Sequence, residues 1–199
     1  MNPDLAPTPF IDSDSPVVRE FVDRVAGNAR DDHELVARLF AAVRDGIRYD
    51  PYNVSADPGD YRASTVLQSP TGYCVQKSVA LTACARAAGI PSRLGFADVK
   101  NHLQSERLLE AMGTDLFVWH GYSTFYVGAR WTKASSAFNA ELCERFGVEP
   151  LDFDGRRDAL LHPFSGDGSM YMQYVHDRGT YADLPLREIL EGIRETYGG

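Results

Sequence analysis

The stretch Gly72-Tyr-Cys-Val-Gln-Lys-Ser-Val-Ala-Leu-Thr-Ala-Cys-Ala-Arg-Ala-Ala-Gly-Ile-Pro-Ser-Arg93 reads as a cysteine mounted where a helix begins. Pro70 and Gly72 break whatever precedes it, and Gly89 with Pro91 supplies the stop, so the pattern predicts a helix from Cys74 to about Ala88. Unpaired amides and the macrodipole at a helix N-terminus favour negative charge, which predicts a stabilised thiolate with a lowered pKa and amides able to hold an oxyanion. Val75, Val79, Leu81, Ala83, Ala85 and Ala88 make the helix apolar on most sides. A helix of that kind often carries an inert buried cysteine, and Cys84, deep in the run, fits that description. Cys74 differs by position, since a first-turn sulfur two residues after a glycine can face a cleft.

Working outward toward the N-terminus, residues 1–14, with Pro3, Pro7 and Pro9 and several Asp, are expected to form an extended or partly disordered arm before the fold begins. Pro16 then opens a short amphipathic helix with Val17, Phe21, Val22 and Val25 inward, ending near Gly27. Leu35, Val36, Leu39, Phe40, Val43 and Ile47 recur at helical spacing, and Asp31 or Asp32 can cap that second helix. Arg48 to Val54 reads as extended or irregular, and Ser64 to Gln68 as one or two helical turns.

Toward the C-terminus the pattern changes from helical to alternating. Arg93 to Val99 is a strand, and Ser105 caps a short helix to Met112. Phe117 to Val127 and Arg130 to Ala134 form a β-hairpin turned at Gly128, with His120 on its first arm. Asn139 is placed to cap a helix that ends at Gly147, and the Asp-, Gly- and Pro-rich run from Val148 to Gly168 is a long ordered loop. Met170 to His176 reads as a strand. Asp183 is the expected cap of the last helix, whose inner stripe is Ile189, Leu190, Ile193 and Tyr197. The expected fold class is α+β: N-terminal helices, including a central Cys-bearing helix, packed on an antiparallel sheet in a single domain spanning residues 15–199.

Composition bounds the function. The 199 residues suffice for one sizeable core, and a net charge of -8 argues against nucleic acid or an anionic membrane as partner. No apolar run approaches a bilayer span, and the acidic first residues lack the basic start of a secretion signal. Three cysteines without a CxxC pair argue against a disulfide framework and a structural zinc site, so a reducing, cytoplasmic setting is expected. The apolar stripes suffice for one core and give no reading of oligomeric state.

From about Leu35 to Ala137 the chain resembles the transglutaminase-like superfamily of papain-type cysteine enzymes. The resemblance is carried by Val43-Arg-Asp-Gly-Ile-Arg-Tyr-Asp50, the Gly-Tyr-Cys opening at Cys74, the Ala-Ala-Gly-Ile-Pro-Ser-Arg exit, and His120 in an aromatic strand followed by Gly128-Ala-Arg-Trp131. It implies a transglutaminase-like, papain-like cysteine fold with a Cys-His-Asp triad in that chain order. It also implies a thioester formed from a protein or peptide amide, a glutamine or a related one, and passed to an amine or water. Cys74 matches the nucleophile and His120 the base. The third position departs, because Ser135 stands where the family places its Asp, with Lys133 and Ser136 as neighbours and no carboxylate among them. Asn139 is an equal alternative orienter, since papain-like enzymes hold their histidine with an Asn amide, and Asp152 or Asp154 folding back ranks lower.

The chemistry needs a thiolate, preset oxyanion donors and an imidazole that returns a proton to the departing amine. Gln68, six residues before the cysteine, is a candidate oxyanion donor beside the Cys74 amide, although a solvated loop glutamine is the plainer reading. Tyr73, Trp119 and Tyr122 flank the pair and are candidates to line an acyl groove, although strand aromatics more often serve a core. His33, His102, His162 and His176 lack metal-ligand spacing. Asp152, Asp154 and Asp158 around Gly155 read as a turn rather than a calcium loop, and Arg156-Arg157 as a solvated tip. Neither cofactor nor metal is expected. With the carboxylate missing, the competing reading is a transglutaminase-like fold that lost its triad and binds protein or peptide without catalysis.

Overall fold

The computed structural model describes residues 2–101, 106–160 and 172–198. The helices are α1 (Pro16–Ala26), α2 (Asp32–Gly46), α3 (Ala63–Gln68), α4 (Cys74–Ala87), α5 (Glu106–Met112), α6 (Ala140–Phe146) and α7 (Leu186–Tyr197). The strands are β1 (Arg48–Tyr49), β2 (Thr71–Gly72), β3 (Ser92–Asn101), β4 (Leu116–Val127), β5 (Arg130–Ala134) and β6 (Met172–Tyr181). Four strands form an antiparallel sheet in the order β5-β4-β3-β6. Helices and an antiparallel sheet sharing one core make the α+β arrangement that the residue pattern predicts.

α4 occupies the centre, sandwiched between β3 and β4 on one side and α1, α2 and α3 on the other. Every residue from Cys74 to Arg86 is buried, which is why its composition shows no polar face. Its lysine is accommodated by capping a neighbour: Lys77 Nζ donates to the carbonyls of Arg44 and Ile47, 2.8 and 2.6 Å away, at the C-terminal end of α2. The other end of α2 has the expected cap, with Asp31 accepting from the Glu34 amide at 2.8 Å. In α1 the buried positions are Val18 and Val22, so Val18 takes the place assigned to Val17.

Residues 2–14 hold no helix or strand and are docked against the rest of the fold. Ile11 is fully buried, Arg93 pairs with Asp4, and Asp12 accepts from the amide and hydroxyl of Ser64 at the start of α3. Arg86 donates to the carbonyls of Ala6, Ser92 and Ala182, tying this segment to the sheet and to the approach of α7. Asp183 does not cap α7; its carboxylate accepts from the Thr8 hydroxyl at 2.7 Å instead. The Arg48 stretch is extended, as expected, and pairs in parallel with Thr71–Gly72 just before the cysteine. Asp154 accepts from the amides of Arg156 and Arg157, the turn foreseen there. Ser105, His102, His162 and Met170 lie outside the described residues.

Candidate active site

Three local features bring the N-terminus of α4 against β4. The parallel β1-β2 pair fixes the approach: Arg48 donates to Pro70 O and Asp50 to Gly72 O. Gln76 then holds the turn, its Oε1 accepting from the Tyr73 amide and its Nε2 donating to Asp60 O, each at 3.1 Å. Finally, Gly121 lets β4 lie directly on the first turn of α4. A Cβ at Gly121 would stand 2.8 Å from Ser78 Oγ, 3.0 Å from Val75 Cα and 3.1 Å from Cys74 O, so only glycine permits this approach.

β4 also carries a bulge that re-aims its residues. Ala97 pairs with His120 and Val99 with Phe117, leaving two residues of β4 opposite Asp98 alone. Trp119 sits in that bulge at φ 56°, a left-handed conformation that a tryptophan adopts only when its surroundings enforce it. Asp98 Oδ1 accepts from the Trp119 amide at 3.0 Å, and Arg178 bonds both Asp98 oxygens at 2.6 and 2.8 Å while lying over the indole, 4.5 Å from its centroid. These contacts hold the backbone immediately before His120.

Cys74 and His120 line one cavity of about 200 Å³, together with Tyr73 and residues of α5, α7 and the 49–54 segment. Cys74 is 8 % exposed and His120 3 %. Burial is the larger influence and pushes the thiol up to about 11, against the nearby backbone amides of Gly121, Val75 and Cys74 itself, which favour its thiolate. This corrects the expectation of a lowered pKa: the helix start is present, but the sulfur is largely withdrawn from water into the wall of the cavity. Burial likewise lowers His120 to about 4, so at neutral pH the pair rests as thiol and neutral imidazole.

The far side of the imidazole is held by Ser135, whose Oγ lies 3.2 Å from His120 Nε2. Asn139 does not share that position. Its Oδ1 accepts from the Tyr49 amide at 3.1 Å, and it occupies the N-cap site of α6 without a side-chain cap bond. Asp152 is exposed, and Asp154 is engaged by its own turn. Ser136 is buried with no hydrogen-bond partner for its hydroxyl among the described residues.

The remaining candidates separate. Tyr73 lines the cavity, its hydroxyl 3.3 Å from that of Tyr61. Gln68 is exposed at the end of α3 and does not line the cavity, while the buried glutamine nearby, Gln76, has both ends of its carboxamide committed. Trp119 is buried among Phe96, Tyr181 and Arg178 rather than in the cavity. Tyr122 packs over Gly95 and lines a different cavity with Lys133 and Tyr174. Nothing in the residue pattern by itself marks Gly121, Asp98 or Arg178 as part of the site. The one available hint is the His-Gly dipeptide, whereas a single Asp and Arg eighty positions apart offer none.

The family model of the transglutaminase-like superfamily matches residues 19–136, a span that contains Cys74, His120 and Ser135. The chain belongs to this superfamily. Among solved structures, this transglutaminase-like protein is similar to a candidate cysteine protease from Cytophaga hutchinsonii, with a TM-score of 0.55 at 16% identity over 91% of this chain and 46% of that one. A candidate protease from Parabacteroides distasonis matches with a TM-score of 0.42 at 17% identity, covering 63% of this chain and 25% of that one. The chain thus spans less than half the length of either structure. No curated protein matches it. Among the described residues, no helix is long and apolar enough to cross a membrane, and no group of three or more His, Cys, Asp or Glu side chains could hold a metal ion.

Proposed function

We propose that this transglutaminase-like protein is a cysteine acyl-transfer enzyme that forms a thioester on Cys74 from a protein or peptide amide and passes the acyl group to an amine or water. The observation that carries this reading is the shared cavity of Cys74 and His120, with Ser135 on the outer ring nitrogen. With Nε2 directed at Ser135, Nδ1 is the nitrogen that exchanges a proton with the thiol. The sulfur attacks the carbonyl carbon as its proton passes to His120, and the Cys74 amide at the helix start stabilises the oxyanion. The tetrahedral species collapses with cleavage of the C–N bond as His120 returns the proton to the departing amine. The acceptor, water or amine, then loses its proton to His120, attacks the thioester and releases the thiol. All three cysteines are unpaired, which supports a reducing, cytoplasmic setting.

The test is intact-mass spectrometry after incubation with acyl thioesters. A single acyl adduct confined to Cys74, abolished in Cys74→Ala and slowed at least tenfold in His120→Ala, is expected. Adducts spread over Cys84 and Cys143 at comparable rates would refute the assignment. The hydroxyl where the family places a carboxylate favours a second reading, a peptide-binding module without turnover. That reading requires that Cys74 never acylate and that Cys74→Ala bind peptides as the native chain does.

A further inference from the structure

The walls of the Cys74 cavity have a chemistry that a polar acyl donor would not use. Among the described residues no charged side chain lines it, and apart from Cys74 and His120 its surface is mainly aliphatic and aromatic, with Leu108, Phe117, Val118 and Ile193 prominent. Of the four tyrosines that line it, Tyr49, Tyr52, Tyr73 and Tyr197, the last two have their hydroxyls engaged by the protein. The Tyr73 hydroxyl meets that of Tyr61, and the Tyr197 hydroxyl accepts from the Val118 amide at 2.8 Å and donates to Leu116 O at 3.1 Å. What these two residues present to a bound group is ring carbon.

Size narrows the occupant further. At about 200 Å³ the space exceeds an engineered cavity of about 150 Å³ that takes up benzene, and the methylenes of a glutamine side chain would fill only a fraction of it. Ring walls favour a ring guest, since aromatic pairs gain from edge and offset contacts beyond area alone. We propose that the cavity selects an acyl donor carrying an aromatic side chain, so that the amide cleaved or transferred follows an aromatic rather than a glutamine-type acyl group. The proposal rests on the acyl-transfer reading of Cys74.

The test uses the N-acetylcysteamine thioesters of acetate, 4-carbamoylbutanoate and 3-phenylpropanoate, with Cys74 acylation followed by intact mass. In each case the Cys74 sulfur forms the new thioester bond as the C–S bond to cysteamine breaks and the released thiol takes the proton. The phenylpropanoyl donor is expected to acylate Cys74 at least tenfold faster than the other two, after correction for their reactivity with free cysteine. Ile193→Trp, which fills the cavity from a half-exposed position on α7, should cut that ratio at least fivefold. Equal rates, or a faster carbamoylbutanoyl donor, overturn the aromatic selectivity and leave the enzyme reading standing. Absence of any Cys74 adduct overturns the enzyme reading instead. Independently of turnover, 3-phenylpropanamide should protect Cys74 from iodoacetamide where propanamide does not, and equal or no protection by both overturns the pocket assignment.

Discussion

The proton inventory at Cys74 and His120 determines how this residue pair behaves. With the thiol pushed up to about 11 and the imidazole down to about 4, both by burial, the resting pair is neutral. Iodoacetamide reacts with the thiolate, so its rate at Cys74 is expected to climb steadily from pH 6 to 10, whereas a preformed thiolate–imidazolium pair would give a flat profile across that range. Cys74 should still be labelled before Cys84 and Cys143, because it alone of the three lines the cavity and Cys84 is raised further by burial. Ser135 offers a second test at the same scale. A hydroxyl orients the ring but brings no charge to stabilise an imidazolium, and replacing the triad carboxylate of a serine protease by its amide costs about 10⁴ in rate. Ser135→Asp is therefore expected to raise the acylation rate at least about tenfold, and an unchanged rate in a folded variant would show that orientation alone suffices. The sequence located this position by its offset from Trp131, but could not rank it above Asn139, whose amide oxygen is spent on the Tyr49 backbone.

At the scale of elements, the site exists because one strand and one helix approach more closely than side chains normally allow. Gly121 is the contact point, and even a methyl there would press on Ser78 Oγ and the backbone of Val75 and Cys74. Gly121→Ala is expected to leave far-UV circular dichroism unchanged while lowering Cys74 acylation at least about tenfold, since displacements near 1 Å can cost about 10² in rate. An unaffected rate would mean that β4 can shift without moving His120. The elements themselves were largely legible: α1, α2, α4, the β4-β5 hairpin and α7 carry strong periodicity, turn residues or both. The bulge at Trp119 was not, because it depends on Asp98 and Arg178, which meet only once β3, β4 and β6 are laid side by side.

Across the whole molecule, burying a lysine and a histidine ties stability to pH. His120 has a folded pKa of about 4 against about 6.5 unfolded, so the unfolded chain binds more protons between those values and stability falls as pH drops through that window. The loss attributable to His120 is on the order of 3 kcal/mol, and urea midpoints between pH 6.5 and 4.5 should fall less steeply in His120→Gln. Lys77 has the same sign in a higher window. Burial lowers it from 10.5 to about 7, so its unfolded form holds a proton that the folded form sheds, and its contribution to stability rises as pH climbs above 7. Lys77→Met should flatten the pH dependence of the urea midpoint between pH 7 and 9, whatever it does to the midpoint itself, and a slope equal to that of the native chain would contradict the assignment.

From residue order alone came the Cys-bearing helix, the His-bearing hairpin and the superfamily to which they belong, because periodicity, turn chemistry and motif spacing are local properties. Tertiary structure alone decided that burial overrides the helix amides at Cys74, that Ser135 rather than Asn139 meets the imidazole, and that Trp119 and Tyr122 leave the cavity to residues of α5 and α7. Desolvation, close approach and hydrogen-bond partners depend on what other segments bring to a point in space, and none of these is written in the neighbours along the chain.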